Sequence, residues 1–484
     1  MRICVVGTGY VGLVSGACFA ECGHEVTCVD VIPEKIAILN EGRLPLYEPG
    51  LAEIAATAMH DGRLAFSTDL TAGARGAEVI FVTVGTPSRP SDGHADLSAV
   101  YSVARAIAPA LAQGAVIAIK STVPVGTCDE VERIIRQGRM HLDFSVTSNP
   151  EFLRAGAAIQ DFKRPDRIII GGPHRACEKI AEVYRPFLLA KTRIIYTGRR
   201  SAELIKYASN AFLATKIAYI NEMADLCERL GADVRDVAHG MGLDARIGPQ
   251  FLNAGPGFGG SCFPKDTLAL IKMAEDVDTP MRIVESVASG NERRKRAMTR
   301  KIASAVGGTL CDKTIALLGL TFKPNTDDMR DAPSLSLIAG LKDMGAHVRA
   351  YDPVIRGHEL VPSEVICCGS PYEAAQGADV LVLVTEWEEF QALHWARLKR
   401  IMVAPVIFDL RRLYSAQVLN RNGFRYYGIG APRRSSITRE LPVQLLPARR
   451  LRGNVGEKHA FAASPRQKRQ RRVAAAANQS VAPA

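Results

Sequence analysis

The segment "GPGFGGSCFPKD", residues 255–266, sets a cysteine behind four glycines and follows it within four residues by Pro264, Lys265 and Asp266. Glycines 255, 257, 259 and 260 let the backbone pass close to a ligand. Pro264 suits the first turn of a helix whose body is "KDTLALIKMAE". Cys262 then stands at the positive end of that helix, where the dipole favours a thiolate, and Lys265 adds positive charge nearby. A thiolate of this kind is a nucleophile, whereas a core cysteine needs none of these neighbours.

A second cluster, "GTGYVG", places Gly7, Gly9 and Gly12 at the G-x-G-x-x-G spacing, with Val11 inside the turn. It follows the apolar run "ICVV" and opens a helix. There the first glycine permits a tight turn, the second admits a pyrophosphate and the third allows close helix–strand packing. Asp30 closes the next strand, 18 residues after Gly12, and a carboxylate there binds ribose hydroxyls and repels a 2′-phosphate. The pattern therefore predicts NAD rather than NADP. A thiol beside a nicotinamide site suggests covalent oxidation: the cysteine adds to an aldehyde, and loss of hydride turns the thiohemiacetal into a thioester.

The elements that must hold these groups are readable from apolar periodicity. Strand signals at 79–84 and 116–120 alternate with helical segments up to about residue 200, as in a doubly wound α/β domain. From 201 the spacing turns helical, and "SAELIKYASNAFLATKIAYINEMADLCERLGAD" predicts one long central helix. Further helices are expected at about 266–275 and 280–306. A second α/β unit starts at "KTIALLGLTF", and its "LIAGLKDMGAHVRAYDP" repeats the plan of "ACFAECGHEVTCVD", with Asp352 in the place of Asp30. It lacks G-x-G-x-x-G, so it is expected to hold the nucleotide end of a substrate instead of a second dinucleotide. The predicted fold is two Rossmann-like doubly wound domains, 1–200 and 307–432, joined by a helical and dimerising segment, 201–306. A basic tail at 433–484 is expected to be disordered.

Composition narrows the partners. The net charge of +11 is concentrated in 433–484, which carries twelve Lys/Arg against two Asp/Glu and leaves the body close to neutral. Nucleic-acid binding through the folded body is thus not expected, and the tail reads as a solvated run whose partner is unknown. Eleven scattered cysteines without C-x-x-C or a zinc-type spacing predict a reduced, cytoplasmic protein and no metal site. No run of about 18 apolar residues suggests a membrane span. The N-terminal apolar run contains Gly7, Gly9 and Gly12 and is read as folded structure, not as a signal peptide.

In order along 1–430, "GTGYVG", "KSTVPVGT", "SNPEFLRAGAAIQDF", "ELIKYASNAFLATKIAYINE", "RIGPQFLNAGPGFGGSCFPKD" and "GLTFKPNTDDMRDAPS" resemble the UDP-glucose/GDP-mannose dehydrogenase family. The resemblance implies a four-electron oxidation of UDP-glucose at C6 to UDP-glucuronate, using two NAD, by a homodimer. Within that class the alternatives are oxidation of GDP-mannose or UDP-N-acetylmannosamine. Outside it stand a two-electron dehydrogenase, which Cys262 disfavours, and a non-catalytic nucleotide-sugar-binding homologue.

Carried residue by residue, the resemblance implies that Cys262 is the nucleophile and that Lys206 and Asp266 hold a water or the C6 oxygen. Asn210 shares the helix face of Lys206, Glu151 serves acid/base steps and Thr122 lies by the nicotinamide. Lys35, Thr86, Lys265 and Arg330 are expected at the NAD together with Gly7, Gly9, Val11, Gly12 and Asp30. The sugar nucleotide is expected against Glu151, Phe152, Leu153, Lys206, Asn210, Phe251, Leu252, Asn253, Ala254, Gly255, Gly259 and Lys323, with Arg246 contributing across a dimer. The chain departs from the family at Ala155, where a second glutamate is common. Ala155 offers no carboxylate to a water or a cofactor.

Overall fold

The computed structural model describes residues 1–188, 192–357 and 359–432. The tail assigned to 433–484 lies outside the described residues.

The first sheet has eight strands: β1 (Arg2–Val6), β2 (Glu25–Val29), β3 (Leu64–Ser67), β4 (Val79–Val82), β5 (Ala115–Ile119), β6 (Phe144–Ser148), β7 (Arg167–Gly171) and β8 (Arg193–Thr197). Their order is β3-β2-β1-β4-β5-β6-β7-β8. Neighbours are parallel except β6 and β7, which meet antiparallel at Ser148 and Gly171. Strands such as β4 and β5 are buried along their whole length, as expected for strands covered by helices on both faces.

The second sheet has six strands: β9 (Thr314–Leu318), β10 (His347–Tyr351), β11 (Ile366–Cys367), β12 (Val380–Leu383), β13 (Val406–Asp409) and β14 (Arg425–Gly428). All are parallel, in the order β11-β10-β9-β12-β13-β14. The first six strands of sheet one follow the same plan, so each half reverses its strand order beside its first strand. Ligands of open α/β sheets bind at such points.

Between the sheets runs the central helix, Arg199–Leu230, 32 residues and therefore about 48 Å long. Gly231, at φ +77°, ends it in a left-handed conformation that glycine adopts without penalty. Helices Phe263–Glu275 and Arg282–Ala305 pack on it. The expected two-sheet plan and long helix are thus present, with helix starts displaced by two or three residues.

The internal repeat sets the same carboxylate in different surroundings in the two halves. Asp30 accepts from the Thr8 backbone N–H and hydroxyl, both at 2.8 Å, and from the Ile32 N–H. Asp352, at the matching place after β10, accepts from Leu320 N–H, Thr321 N–H and hydroxyl, Trp387 Nε1, and the Val354 and Ile355 N–H groups. The Trp387 ring seals the second carboxylate, which is fully buried and has no room for a ribose.

No helix among the described residues is long and apolar enough to cross a membrane. No cluster of three or more potential metal ligands occurs among them.

Candidate active site

One cleft of about 1630 Å³ opens between the halves, lined by the turn after β1, the segment after β6, the central helix, the glycine-rich segment and the loop after β9. Cys262 lies in its wall. It is the residue immediately before helix Phe263–Glu275, with Pro264 in the first turn as the sequence suggested. Gly260, at φ +84°, faces the Phe322 ring, and its N–H donates to the Arg330 carbonyl at 2.8 Å. A Cβ at Gly259 would lie 2.3 Å from the Asp331 carbonyl oxygen. The glycines therefore let the cysteine segment press against the second domain.

Two buried networks adjoin the same cleft. Lys206 Nζ donates to Glu151 Oε1 at 2.9 Å and to the Glu151 carbonyl at 2.7 Å. The other Glu151 oxygen accepts from the Leu153 N–H. Asn210, one helical turn beyond Lys206, donates to Asp266 Oδ2 at 2.6 Å, and Lys265 donates to Asp266 Oδ1 at 2.6 Å. Lys206 thus pairs with Glu151, while Asp266 is held between Asn210 and Lys265. Asp266 is fully buried and reaches the cleft through Asn210, which lines it.

The electrostatics follow from burial and these partners. Burial raises the Glu151 carboxyl, but Lys206, the Leu153 N–H and Lys120 outweigh it and hold the group below its ordinary range. Burial lowers the Lys206 ammonium, yet Glu151, Cys262 and Asp266 outweigh that and hold it up. The thiol departs from expectation. Burial pushes Cys262 up by more than Lys206 pulls it down, and Glu151 and Asp266 push the same way. Lys265 spends its charge on Asp266 instead of on the sulfur.

The first-domain end of the cleft fits a dinucleotide. Gly7 has φ +103°, and a Cβ at Gly12 would overlap the Gly7 carbonyl oxygen at 1.8 Å. A Cβ at Gly9 would meet nothing within 4 Å, so this residue opens onto free space at the uncapped start of helix Tyr10–Glu21. Thr8, Gly9, Tyr10, Val11 and Lys35 line the cleft, and Lys35 stands 3.5 Å from Asp30. Thr86 and Thr122 are joined by a 2.7 Å hydrogen bond from hydroxyl to carbonyl and do not line the main cleft.

The other end is cationic. Lys323 and Arg330 line it, with burial lowering the Lys323 ammonium and Asp328 raising the Arg330 guanidinium. Phe152 and Leu153 form the wall near Lys206, and the Arg167 guanidinium stacks 3.7 Å from the Phe152 ring centre.

Residues 251–255 alternate between cleft and core, beginning at Phe251, which is left-handed at φ +63°. Phe251, Asn253 and Gly255 face the cleft, while Leu252 and Ala254 join the core of the second domain. The Leu252 and Ala254 side chains therefore serve packing. The Arg246 side chain is 89% exposed and pairs with Asp244, outside the cleft of its own chain.

Sequence reasoning missed Arg411, which follows β13 and lines the cleft beside Gly255, donating to the Val384 and Phe322 carbonyls. Its signal was a cation just beyond a parallel strand's C-terminal end. Ala155 lines the cleft as well. The Glu48 carboxylate, beside the same turn, is occupied by the N–H groups of Gly156 at 2.6 Å and Ala158 at 2.7 Å.

Residues 1–188 match the UDP-glucose/GDP-mannose dehydrogenase family model for the NAD binding domain, 200–293 the central domain and 316–416 the UDP binding domain. The chain belongs to the UDP-glucose/GDP-mannose dehydrogenase family. It is 55% identical over 437 residues to a UDP-glucose 6-dehydrogenase of Rhizobium meliloti, covering 89% of this chain and 100% of that one. A UDP-glucose 6-dehydrogenase of Pseudomonas aeruginosa is 47% identical over 445 residues, 90% of this chain and 98% of the relative. Among solved structures of this family, a UDP-glucose dehydrogenase from Pyrobaculum islandicum aligns with a TM-score of 0.79 at 36% identity, covering 89% and 97% of the two chains. The UDP-D-ManNAc dehydrogenase of Pyrococcus horikoshii aligns at 0.78 and 29% identity, covering 89% and 99%.

Proposed function

We propose that this protein oxidises UDP-glucose at C6 to UDP-glucuronate, with two NAD reduced per sugar. The observation that carries this reading is that Cys262, the Gly9 turn and the buried Lys206–Glu151 pair line one cleft. The cofactor's chemistry is acceptance of hydride from the sugar carbon, once in each half of the reaction. Lys206 holds the C6 oxygen and stabilises its developing negative charge. Glu151, ionised beside it, takes the hydroxyl proton. The Cys262 sulfur then bonds to the aldehyde carbon, its proton passing to the former carbonyl oxygen. A second hydride loss, with departure of that oxygen's proton, leaves a thioester. Water, deprotonated by Glu151, attacks the thioester carbon and releases the carboxylate and the free thiol.

Lys323 offers charge to the UDP diphosphate, and Gly255 leaves room beside it for Arg411, which is paired with Glu386 at 3.0 Å. We assign the domains as 1–200, 201–306 and 307–432, and the compartment as the cytoplasm, which suits eleven free cysteines. The test is NADH release against a panel of nucleotide sugars. Two NADH per UDP-glucose consumed supports the reading. One NADH with an aldehyde product, or turnover only of GDP-mannose or UDP-N-acetylmannosamine, overturns it.

The central helix also presents exposed Phe212, Tyr219 and Leu226 at seven-residue spacing, a stripe on one face. We assign this face to the homodimer. A Tyr219→Glu, Leu226→Glu double variant is expected to elute at half the wild-type mass in light scattering. An unchanged mass would place any dimer contact elsewhere.

A further inference from the structure

Lys120 follows β5 and is 4% exposed, yet it lines the cleft. Its Nζ donates to the Tyr184 hydroxyl at 2.8 Å, that hydroxyl donates to Asn149 Oδ1 at 2.7 Å, and Asn149 Nδ2 donates to the Ile169 carbonyl at 2.8 Å. The chain runs one way, so Lys120 is a pure donor at its head. The ammonium also lies 5.4 Å from the Tyr184 ring centre and 5.8 Å from that of Phe162.

Among the described residues no carboxylate pairs with Lys120 directly, and a neutral phenol and two rings compensate a buried cation poorly. As a structural plug, a methionine would fill the same space at lower cost. The charge that answers it through space is Glu151. The groups coupled to Glu151 are Lys206 from the central helix, Cys262 at the head of the next, Tyr184 and Lys120 itself. Of these, Lys206 is the cation that must turn to the sugar oxygen during the reaction.

We infer that Lys120 is a positioning residue for Glu151, a second buried cation that keeps the carboxylate ionised while Lys206 is engaged with the sugar. This role rests on the proposed oxidation. Burial draws the Lys120 ammonium down to about 8, so the charge is present at neutral pH and fades in alkali. The acid limb reports the role. Removing a neighbouring cation raises a carboxyl group's pKa, so steps that need ionised Glu151 fail at higher pH.

The test is the pH profile of kcat for NADH release from UDP-glucose, in wild type, Lys120→Met, Lys120→Arg and Tyr184→Phe. The acid limb is expected to move up by about one pH unit in Lys120→Met and to return toward wild type in Lys120→Arg. Tyr184→Phe, which strips the ammonium of its acceptor, is expected to move it the same way by less, and it stands in if Lys120→Met does not fold. Acid limbs that coincide with wild type in Lys120→Met, or in Tyr184→Phe where that replaces it, overturn the role of Lys120 alone. A wild type silent toward UDP-glucose overturns the oxidation and this role together.

Discussion

Replacing Cys262 with serine is expected to lower UDP-glucuronate formation by more than about 10³-fold while UDP-glucose still binds. The side chain sits at a helix start in the cleft wall, so an isosteric hydroxyl leaves the surrounding glycines and the Lys206–Glu151 pair in place. What is lost is the sulfur. The thiol is already held up by burial, and a serine hydroxyl is far harder to ionise in the same surroundings. The measurement is acid product by chromatography together with UDP-glucose affinity by calorimetry. Undiminished acid from the serine variant would contradict the covalent route. Loss of binding as well would mean the residue shapes the pocket instead of reacting in it.

Much of this arrangement is legible along the chain because it is local. "GTGYVG" between an apolar strand and a helix is a contiguous signal, and Gly12 proves to be required by contact with the Gly7 carbonyl. Asp30 and Asp352 mark the same place in two halves, although only the fold reveals that Trp387 seals the second. Cys262 was findable because glycines, Pro264 and a helical run flank it. Residues whose roles depend on distant neighbours were not findable in this way. The Lys265 charge reads as support for the thiolate until Asp266 is seen to take it. Leu252 and Ala254 sit among cleft-lining residues in sequence, and only the fold turns them to the core. Arg411 and Lys120 come from strands far from Cys262 in sequence, and only the closing of two sheets on one cleft brings them to it. The direction of the thiol's shift was beyond the sequence as well, since it is set by burial, a property of the whole fold.

Replacing Lys206 with methionine is expected to reduce kcat by about 10² to 10⁴-fold and to cost about 3–5 kcal/mol of stability, because it leaves a buried carboxylate without its direct partner. Both members of the pair are almost wholly buried, 4% and 6% exposed, so solvent screens little of the loss. The pH dependence of the stability defect separates this cause from a packing defect. In the wild type the Glu151 carboxyl is held below its ordinary value, so its contribution is present above the unfolded pKa and lost as pH falls through the folded one. The Lys206 ammonium is held above its ordinary value, so its contribution is present below the unfolded pKa and lost only as pH rises through the folded one. The pair is therefore intact across the neutral range. In Lys206→Met the carboxylate keeps only the Leu153 N–H and the more distant Lys120, burial prevails and the carboxyl rises above its ordinary value. Acid then relieves the variant by protonating Glu151 while it weakens the wild type. The gap in urea-unfolding free energy between the two is expected to narrow steadily from pH 7 to pH 4. A gap constant over that range would assign the loss to packing around the lysine stem, and Lys206 would then owe its place to volume instead of charge.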